Sequence, residues 1–539
     1  MDRAHPGSTP LDGSRLPFPD RYHRGTEAQR HRELGSQIEI HSPSVSLCPR
    51  VSVMSCAGRC RLFAVLALVL GLACAVSAVP AQEAVHAGRE NAPARPGFPA
   101  DFSASPAGGE VKGALTAVDL DGDGQKEILF GGLDGTVHLF RADGREIRDG
   151  LWPRHTGGPI VGSVRAGDLD GDGTPEVVTA AYDGKVYAFS DRGERLWTAD
   201  THQPGLTSSP LLAGKPGRQT RRIVFATPDG AIDCLDAGGM REWQHPGRVP
   251  VQFPAAEVDL EGAGRKGVLF RDDSGILTLL GDDGAEVRKW PKEPYQDRHG
   301  PSPFTVSDLD GDGAMEVVAE QREPLSPGAV QGATGATRRL PGQGETGVVV
   351  WNAAGEASHL FTAPGTPPDA IRAADVDGDG RKDLVLPDEA GRIHVFAPDG
   401  ATRGPVLEVR DLYRQVTDPR LDSRGTPLLE KAPVLGDVDG DGTPELVFTV
   451  NDPRQRDELG GMVFAVTPAG QVVAGFPKFI GRNHGELLLA DLDDDGDLEL
   501  IVAGGIGGAG HQLNVFNLPA SQKVEMILLG SDFKPFKGE

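Results

Sequence analysis

The chain has 539 residues, with 54 lysines and arginines against 78 aspartates and glutamates, so its formal net charge is −24. So acidic a chain is not expected to take nucleic acid or an anionic membrane surface as its main partner. The 73 glycines belong to turn phrases, and we find no phosphate-binding loop, GxSxG elbow, HExxH pair or cysteine-histidine pairing. The common hydrolase, metalloprotease and nucleotide-binding signatures are therefore excluded.

The N-terminal region predicts an exported protein. Residues 1–53 are polar and rich in proline and arginine, and we expect them to be disordered or to lie outside the native protein. Residues 54–81 are typical of a signal peptide, because two arginines precede a twenty-residue apolar run from Leu62 that ends in small residues. A run of this length could also span a bilayer if it stays uncleaved, so a membrane anchor is the alternative. We expect a secreted, periplasmic or cell-surface location.

Cysteine usage agrees with this interpretation. Four of the five cysteines lie at or before Cys74, which leaves only Cys234 in the predicted mature chain. One cysteine permits no internal disulfide, so an exported fold of this sequence needs another kind of staple. Cys234 itself is most simply a buried apolar residue.

A nine-residue acidic phrase follows, and it occurs six times. It carries aspartates at positions 1, 3 and 5, glycine at position 6 and an acid at position 9, and it starts at Asp119, Asp168, Asp308, Asp375, Asp437 and Asp491. Four carboxylates this close together repel one another unless a cation neutralises them. Oxygen ligands at this spacing favour Ca²⁺, and the sequence predicts about six calcium sites. The alternative is that the Asp-Gly pairs simply form tight turns.

Each predicted site consists of the side chains at positions 1, 3, 5 and 9 and the backbone carbonyl at position 7. The predicted ligands are Asp119, Asp121, Asp123, Gln125 and Glu127; Asp168, Asp170, Asp172, Thr174 and Glu176; Asp308, Asp310, Asp312, Ala314 and Glu316; Asp375, Asp377, Asp379, Arg381 and Asp383; Asp437, Asp439, Asp441, Thr443 and Glu445; and Asp491, Asp493, Asp495, Asp497 and Glu499. An EF-hand loop would place its closing acid at position 12 and lead into a helix, whereas these phrases lead into short β-branched runs.

The spacing of the phrases predicts the fold. Two degraded units, at Asp259 and near Gly214, complete a series that starts at 119, 168, 214, 259, 308, 375, 437 and 491. A repeat of 45 to 67 residues with several short strands is typical of β-propeller blades. We predict an all-β propeller over residues 109–535 with four strands in each of eight blades, or seven if one degraded unit is absorbed elsewhere. The degraded units should fold like the others without metal.

Further elements can be placed within this frame. In the first unit we predict strands at 114–120, 127–131 and 136–141 and a fourth that ends near Trp152. Residues 82–108 should form a flexible linker whose GFPADF phrase, similar to the GFPKF phrase near the end of the seventh unit, completes the last blade and closes the ring. The long units carry insertions, a loop at 322–346 and a segment at 408–431 that could hold a short helix.

The acidic phrases and their strand frame resemble FG-GAP and VCBS-type repeats, which occur in integrin alpha-subunit propellers and in many exported bacterial proteins. The resemblance implies a calcium ion in the loop between the first two strands of a blade and partner binding on the opposite face. Phrases such as GKVYAF also resemble the strand frame of quinoprotein-type propellers.

These observations predict a non-catalytic binding or scaffold module, expected to be a monomer, with an unidentified protein or glycan ligand on the face opposite the calcium loops. One alternative is a propeller enzyme, such as a polysaccharide lyase or a quinoprotein-like oxidoreductase, with its site at the channel mouth. Another is a purely structural surface protein. Five histidines, His155, His202, His245, His299 and His484, follow the predicted fourth strands. They suggest either a ring for an anion or a second metal, or ordinary solvated loop residues.

Overall fold

The β-branched run after each acidic phrase forms the second strand of a four-stranded antiparallel sheet. The computed structural model describes residues 100–101, 111–148, 150–215, 218–247, 249–251, 255–260, 265–290, 304–321, 345–364, 371–388, 390–416, 428–429, 431–451, 461–480, 487–504 and 512–518. All of them lie in the unit Val79–Glu539. The predicted disordered segment, the signal peptide, most of the linker and the loop at 322–344 fall outside the described residues, so the predicted domain boundaries stay predictions.

The strands of the first four blades follow one another in chain order after the short strand β1 (Ala100–Asp101). Blade 1 contains β2 (Thr116–Val118), β3 (Glu127–Gly131), β4 (Thr136–Phe140) and β5 (Arg154–His155). Blade 2 contains β6 (Arg165–Gly167), β7 (Glu176–Ala181), β8 (Lys185–Phe189) and β9 (Arg195–Asp200). Blade 3 contains β10 (Leu211–Gly214), β11 (Arg221–Ala226), β12 (Ile232–Leu235) and β13 (Arg241–His245), and blade 4 contains β14 (Ala256–Val258), β15 (Gly267–Arg271), β16 (Leu277–Leu280) and β17 (Glu286–Trp290).

The other four blades continue the same order. Blade 5 contains β18 (Phe304–Ser307), β19 (Glu316–Gln321), β20 (Glu345–Trp351) and β21 (Ala357–Pro364). Blade 6 contains β22 (Arg372–Ala374), β23 (Asp383–Pro387), β24 (Arg392–Phe396) and β25 (Leu407–Glu408). Blade 7 contains β26 (Leu428–Leu429), β27 (Val434–Gly436), β28 (Glu445–Asn451), β29 (Gly461–Val466) and β30 (Lys478–Ile480), and blade 8 contains β31 (Leu487–Ala490), β32 (Glu499–Gly504) and β33 (Gln512–Asn517).

The prediction of eight blades is confirmed. Each sheet is antiparallel and ordered from its first strand to its fourth, and in blade 7 both β26 and β27 pair with β28 as two segments of one inner strand. Eight hydrophobic clusters fill the eight interfaces between neighbouring blades, and one of them joins blade 8 to blade 1. Both faces of every blade are therefore covered, which explains why each second strand carries a run of consecutive apolar residues.

The ring closes as the GFPADF phrase predicts. Strand β1 pairs with β33, with Ala100 opposite Leu513 and Asp101 opposite Gln512, so a strand from before blade 1 is the outer strand of blade 8. Because this pairing joins residues from the two ends of the propeller, it covers the edge that β33 would otherwise expose.

Blades 3 and 4 confirm that the degraded units fold like the others, since each has its four strands. The insertion after blade 6 contains the helix α1 (Val409–Val416), in line with the prediction. None of the helices in the described part of the chain combines the length and the apolar character of a membrane span.

The fourth strand of blade 1 differs from the prediction. It begins at Arg154, whereas the sequence pattern places its end near Trp152. Proline lacks the N–H that a strand donates to its neighbour, so regular pairing starts only after Pro153. The outer strands of blades 7 and 8 likewise begin directly after a proline, at Lys478 and Ala100.

Tryptophans in successive blades are held by the next blade along the ring. Trp152, Trp197 and Trp243 each donate their indole N–H to a carbonyl in the turn after the third strand of the following blade, at 2.8, 2.8 and 3.0 Å. A glycine with positive φ completes that turn, and an added Cβ at Gly239 would lie 2.6 Å from the Trp197 ring. The indole therefore takes the space that any larger residue would need.

This packing predicts that Gly239→Ala destabilises the propeller more than a glycine change without the clash. Gly475 has a similar φ, +83° against +80°, but the nearest atom to an added Cβ there is Lys478 Nζ at 3.7 Å. We expect Gly239→Ala to lower the free energy of unfolding in urea by about 1–3 kcal/mol more than Gly475→Ala does. Equal losses in the two variants would contradict this account.

Candidate metal centres

Each of the six acidic phrases connects the inner strand of its blade to the second strand. In blade 1 the phrase begins directly after β2 and ends at Glu127, the first residue of β3, which pairs with Val118. Inner strands of a propeller run in the same direction along the axis. The six phrases therefore lie at the same end of their inner strands, on one face of the disc.

The carboxylates at positions 1, 3 and 9 of a phrase converge. In five loops, one oxygen from each of these three side chains lies within 4.8 Å of the other two: Asp119, Asp121 and Glu127; Asp168, Asp170 and Glu176; Asp308, Asp310 and Glu316; Asp375, Asp377 and Asp383; and Asp437, Asp439 and Glu445. Oxygens bound to one Ca²⁺ at 2.3–2.6 Å are separated by up to about 5 Å. The spacing therefore fits a single ion.

Backbone N–H groups hold the loop in this curled form. In blade 1, Gly122 and Gly124 donate to the two oxygens of Asp119 at 2.8 and 3.0 Å. Leu120 donates to Glu127 Oε2 at 2.9 Å, which leaves the other oxygen of Glu127 for the centre of the loop. Gly124 adopts a φ of +89°, which a residue with a Cβ takes only at a cost. The glycine at position 6 is therefore part of the ligand geometry.

The bond from the glycine at position 6 recurs in all six loops, and the bond to the acid at position 9 recurs in every loop but that of blade 6. In blade 8, Leu492 donates to Glu499 Oε2 at 2.7 Å, and Gly496 donates to Asp491 Oδ2 at 3.2 Å. At position 4 of this loop Asp494, with a φ of +58°, stands where the other five phrases have glycine. Aspartate tolerates this conformation better than most residues, so the loop keeps its shape.

The carboxylate at position 9 lies in an environment that disfavours its charge. Burial, together with the charges of the neighbouring aspartates, raises the pKa of Glu127, Glu176 and Glu445 to about 7, although a backbone N–H opposes the shift in each case. Glu445 is fully buried, and its Oε1 atom accepts no hydrogen bond from the described residues. A buried carboxylate oxygen of this kind is expected to have a cation or a donor as its partner.

The donor set therefore fits a hard divalent cation. In the five described clusters the converging ligands are carboxylate oxygens, which suit Ca²⁺ better than a metal that prefers nitrogen or sulfur. The carboxylates at position 5 have a second use in the turn, since Asp123 Oδ1 accepts the N–H of Gln125 at 2.8 Å. Ligation by the position 5 side chains and by the position 7 carbonyls stays a prediction.

Two arginines that the pattern did not predict reach into these loops. Arg403 contacts three acids of the blade 6 loop, with distances of 3.0 Å to Asp377, 2.8 Å to Asp379 and 3.3 Å to Asp383. Arg141 lies 3.6 and 3.8 Å from Asp121 and Asp123 in blade 1. Both arginines lie between the third and outer strands of their own blade. A basic residue at that place is the sequence signal that could have indicated them.

The degraded unit of blade 4 uses side chains of its own. Glu257 accepts the N–H of Gly214 at 2.7 Å and forms an ion pair with Lys266 at 2.9 Å. A lysine thus neutralises a largely buried carboxylate near the turn of this blade. Residues 261–264 of the turn itself lie outside the described part of the chain.

The sequence suggests a ring of histidines, and this prediction is wrong for the three histidines that the structure describes. His155 and His245 belong to the outer strands β5 and β13, and His202 is exposed beside Asp200. Outer strands lie at the rim of a propeller, so His155 and His245 cannot surround its axis, and His202 comes only two residues after the outer strand β9. His299 and His484 lie outside the described residues.

A cavity of about 600 Å³ opens at the end of the inner strands opposite to the acidic loops. Residues just before or at the start of the inner strands of six blades line it, among them Arg165 in blade 2 and Arg372 in blade 6. Each of these arginines lies three positions before the first aspartate of its loop, which at about 3.3 Å per residue is a distance of about 10 Å. The cavity lies on the propeller axis.

The resemblance stated from the sequence is confirmed by comparison with known families. The family model described as an FG-GAP-like repeat matches residues 119–179, which include the acidic loops of blades 1 and 2. No curated protein matches the chain significantly.

Several solved structures are similar. BamB from Moraxella catarrhalis is 15% identical, and the match covers 77% of this chain and 98% of that chain with a TM-score of 0.44. Sqt1 from Saccharomyces cerevisiae is 13% identical, with coverage of 80% and 99% and a TM-score of 0.48. The V. cholerae biofilm matrix protein Bap1 is 14% identical, with coverage of 79% and 91% and a TM-score of 0.40. At these sequence identities and TM-scores, the similarities carry no argument about the activity or the partner of this protein.

The charge crowding in the loops predicts opposite effects of Glu445→Gln with and without calcium. The pKa of Glu445 is about 7 in the folded state, above its ordinary value of 4.5. Between these values the carboxyl ionises mainly in the unfolded chain, so the free energy of unfolding falls as the pH rises, and the fall is complete above about pH 7. In chelator at pH 8, we expect Glu445→Gln to raise the free energy of unfolding by about 1–3 kcal/mol, with little effect at pH 4.5. In calcium at pH 8, the variant should be less stable than the wild type. Urea unfolding checks both signs, and the same sign in chelator and in calcium would contradict the assignment.

Proposed function

We propose that this protein is an exported β-propeller in which calcium ions stiffen the inner turns, and that it acts as a non-catalytic binding or scaffold module. The observation that carries the proposal is the convergence of carboxylates at the same turn of successive blades, within 4.8 Å in five loops. Calcium at each loop would neutralise charges that otherwise repel. Such a staple suits a chain that has no pair of cysteines after the predicted signal peptide.

The proposed binding surface is the face opposite to the acidic loops, with a protein or a glycan as its ligand. The axial cavity on that face supports a binding role over a purely structural one, because its volume falls in the range of small-ligand sites. Its described lining contains no carboxylate, histidine or cysteine. General acid-base chemistry usually depends on such groups, so the lining favours binding over the alternative of a propeller enzyme.

Export remains a proposal that rests on the leader-like segment at 54–81. Extracellular calcium sites can function with dissociation constants of about 10⁻⁴–10⁻³ M. An exported propeller could thus fill its loops from its surroundings, whereas the same loops inside a cell would meet far less free calcium.

The proposal predicts that calcium raises the thermal stability of residues 82–539. At free calcium about 100 times the dissociation constant, each independent site adds about 2.7 kcal/mol to the free energy of unfolding. We expect the melting temperature to rise in calcium and to fall in chelator. Asp170→Asn, in the blade 2 loop, should reduce the gain, while Asp191→Asn, in another turn of that blade, should preserve it. A melting temperature that is the same in calcium and in chelator would refute the metal staple.

The six loops should differ in calcium affinity. Arg403 already neutralises part of the blade 6 loop through its three carboxylate contacts, so this loop should bind calcium most weakly. We expect Arg403→Gln to strengthen the weakest site about tenfold in a direct calcium titration. The control is Arg192→Gln, because Arg192 lies in a turn of blade 2 and contacts no acidic phrase in the described structure. An unchanged titration curve for Arg403→Gln would mean that the arginine does not compete with the ion.

A further inference from the structure

We propose that the axial cavity binds a small, multiply charged oxyanion, such as a tricarboxylate or a phosphorylated or sulfated sugar. The proposal deepens the binding function given above and rests on it only in assigning the ligand to the face opposite to the acidic loops. It requires no ion in those loops, because the cavity lies at the other end of the inner strands.

The described lining of the cavity carries positive charge alone. Lys112, Arg165, Arg372 and Lys431 contribute to its wall, and no described lining residue is acidic. In a chain of net charge −24, a lining with four basic residues and no acidic one departs from the average composition, and Lys112, Arg165 and Lys431 also interact with other groups of the protein. The combined field of the four basic residues draws small anions into a space whose walls exclude part of the solvent.

Arg372 gives the strongest indication of a ligand. This residue starts the inner strand β22 and is only 7% exposed. Its Nε atom is buried and donates no hydrogen bond to any described residue. A buried guanidinium without a carboxylate is costly to the fold, and a planar fork of N–H donors matches a carboxylate or phosphate group. An anion in the cavity would supply the acceptor that the protein itself does not.

The wall beside these cations is held in place by hydrogen bonds between blades. Ser163 Oγ accepts the N–H of Ala114 at 2.9 Å, and Ser209 Oγ accepts the N–H of Ser163 at 2.9 Å. These bonds join blades 1, 2 and 3 at the cavity, and the hydroxyls of Ser163 and Ser209 lie 3.2 Å apart. Because the wall is already ordered, binding would not require its rearrangement.

The size and charge of the cavity limit the ligand class. A volume of about 600 Å³ accommodates a small molecule of one or two sugar rings, whereas a nucleic acid would also meet the acidic remainder of the protein. Four cations around the cavity favour a ligand with two or more negative groups over a singly charged one. A divalent metal is disfavoured by the same charges.

The test is a binding titration of the calcium-loaded protein, residues 82–539, against three probes and an uncharged control. The probes are tricarballylate, glucose 6-phosphate and a sulfated disaccharide, with glucose as the control, each at low and at physiological salt. We expect at least one probe to bind with a dissociation constant below about 1 mM, more weakly at higher salt, and glucose not to bind. The preferred probe identifies the kind of oxyanion.

Variants separate a built site from general charge attraction. Arg372→Gln should weaken binding of the preferred probe about tenfold or more, and Lys431→Gln provides the same test at a less buried position if Arg372→Gln does not fold. Arg192→Gln removes the same charge from a turn on the acidic-loop face and should leave binding unchanged. The proposal is overturned if no probe binds, or if both cavity variants bind as the wild type does. Either result leaves the calcium-dependent melt as a separate measurement, so the two proposals fail independently.

Discussion

Each blade of this propeller is stable only because its neighbours cover both faces of its sheet. Eight apolar clusters occupy the eight interfaces, and the cluster between blade 8 and blade 1 includes residues from both ends of the propeller. In an isolated four-stranded sheet, a second strand such as Glu127–Gly131, whose five residues are all buried in the propeller, would expose its apolar side chains to water. Closure of the ring through β1 is therefore the condition on which the turns, the loops and the axial cavity all depend.

Within the closed ring the blades pack alike, but they differ in their charged groups. Six turns concentrate carboxylates that require a positive partner, and the structure offers more than one kind. In most of these loops the carboxylates converge closely enough to fit a hard cation, the blade 6 loop also has the guanidinium of Arg403, and blade 4 pairs Glu257 with Lys266. A lysine or arginine and a metal ion can neutralise the same kind of site, which explains how a blade keeps its shape after its acidic phrase has degraded.

The inner strands separate two regions of opposite charge. Acidic loops lie at their C-terminal ends, and basic side chains surround the cavity at their N-terminal ends, only a few residues away in blades 2 and 6. This arrangement allows one short strand to support a stiff turn at one end and a binding surface at the other. Because the two regions face different ends of the channel, a ligand at the cavity would not compete with ions in the loops.

Local patterns in the sequence were sufficient to predict the propeller, the eight repeats and the position of every acidic phrase, because turn chemistry and strand burial depend on residues close together in the chain. Strand ends were less predictable where Pro153 interrupts the pairing. A basic residue after the third strand is a local signal for Arg403, but its reach into the acidic loop depends on how the outer strand folds back against the blade. The cavity is the clearest case, since Lys112 and Lys431 lie more than 300 positions apart. Only closure of the ring brings such residues to one axis, and that closure is a property of the tertiary structure.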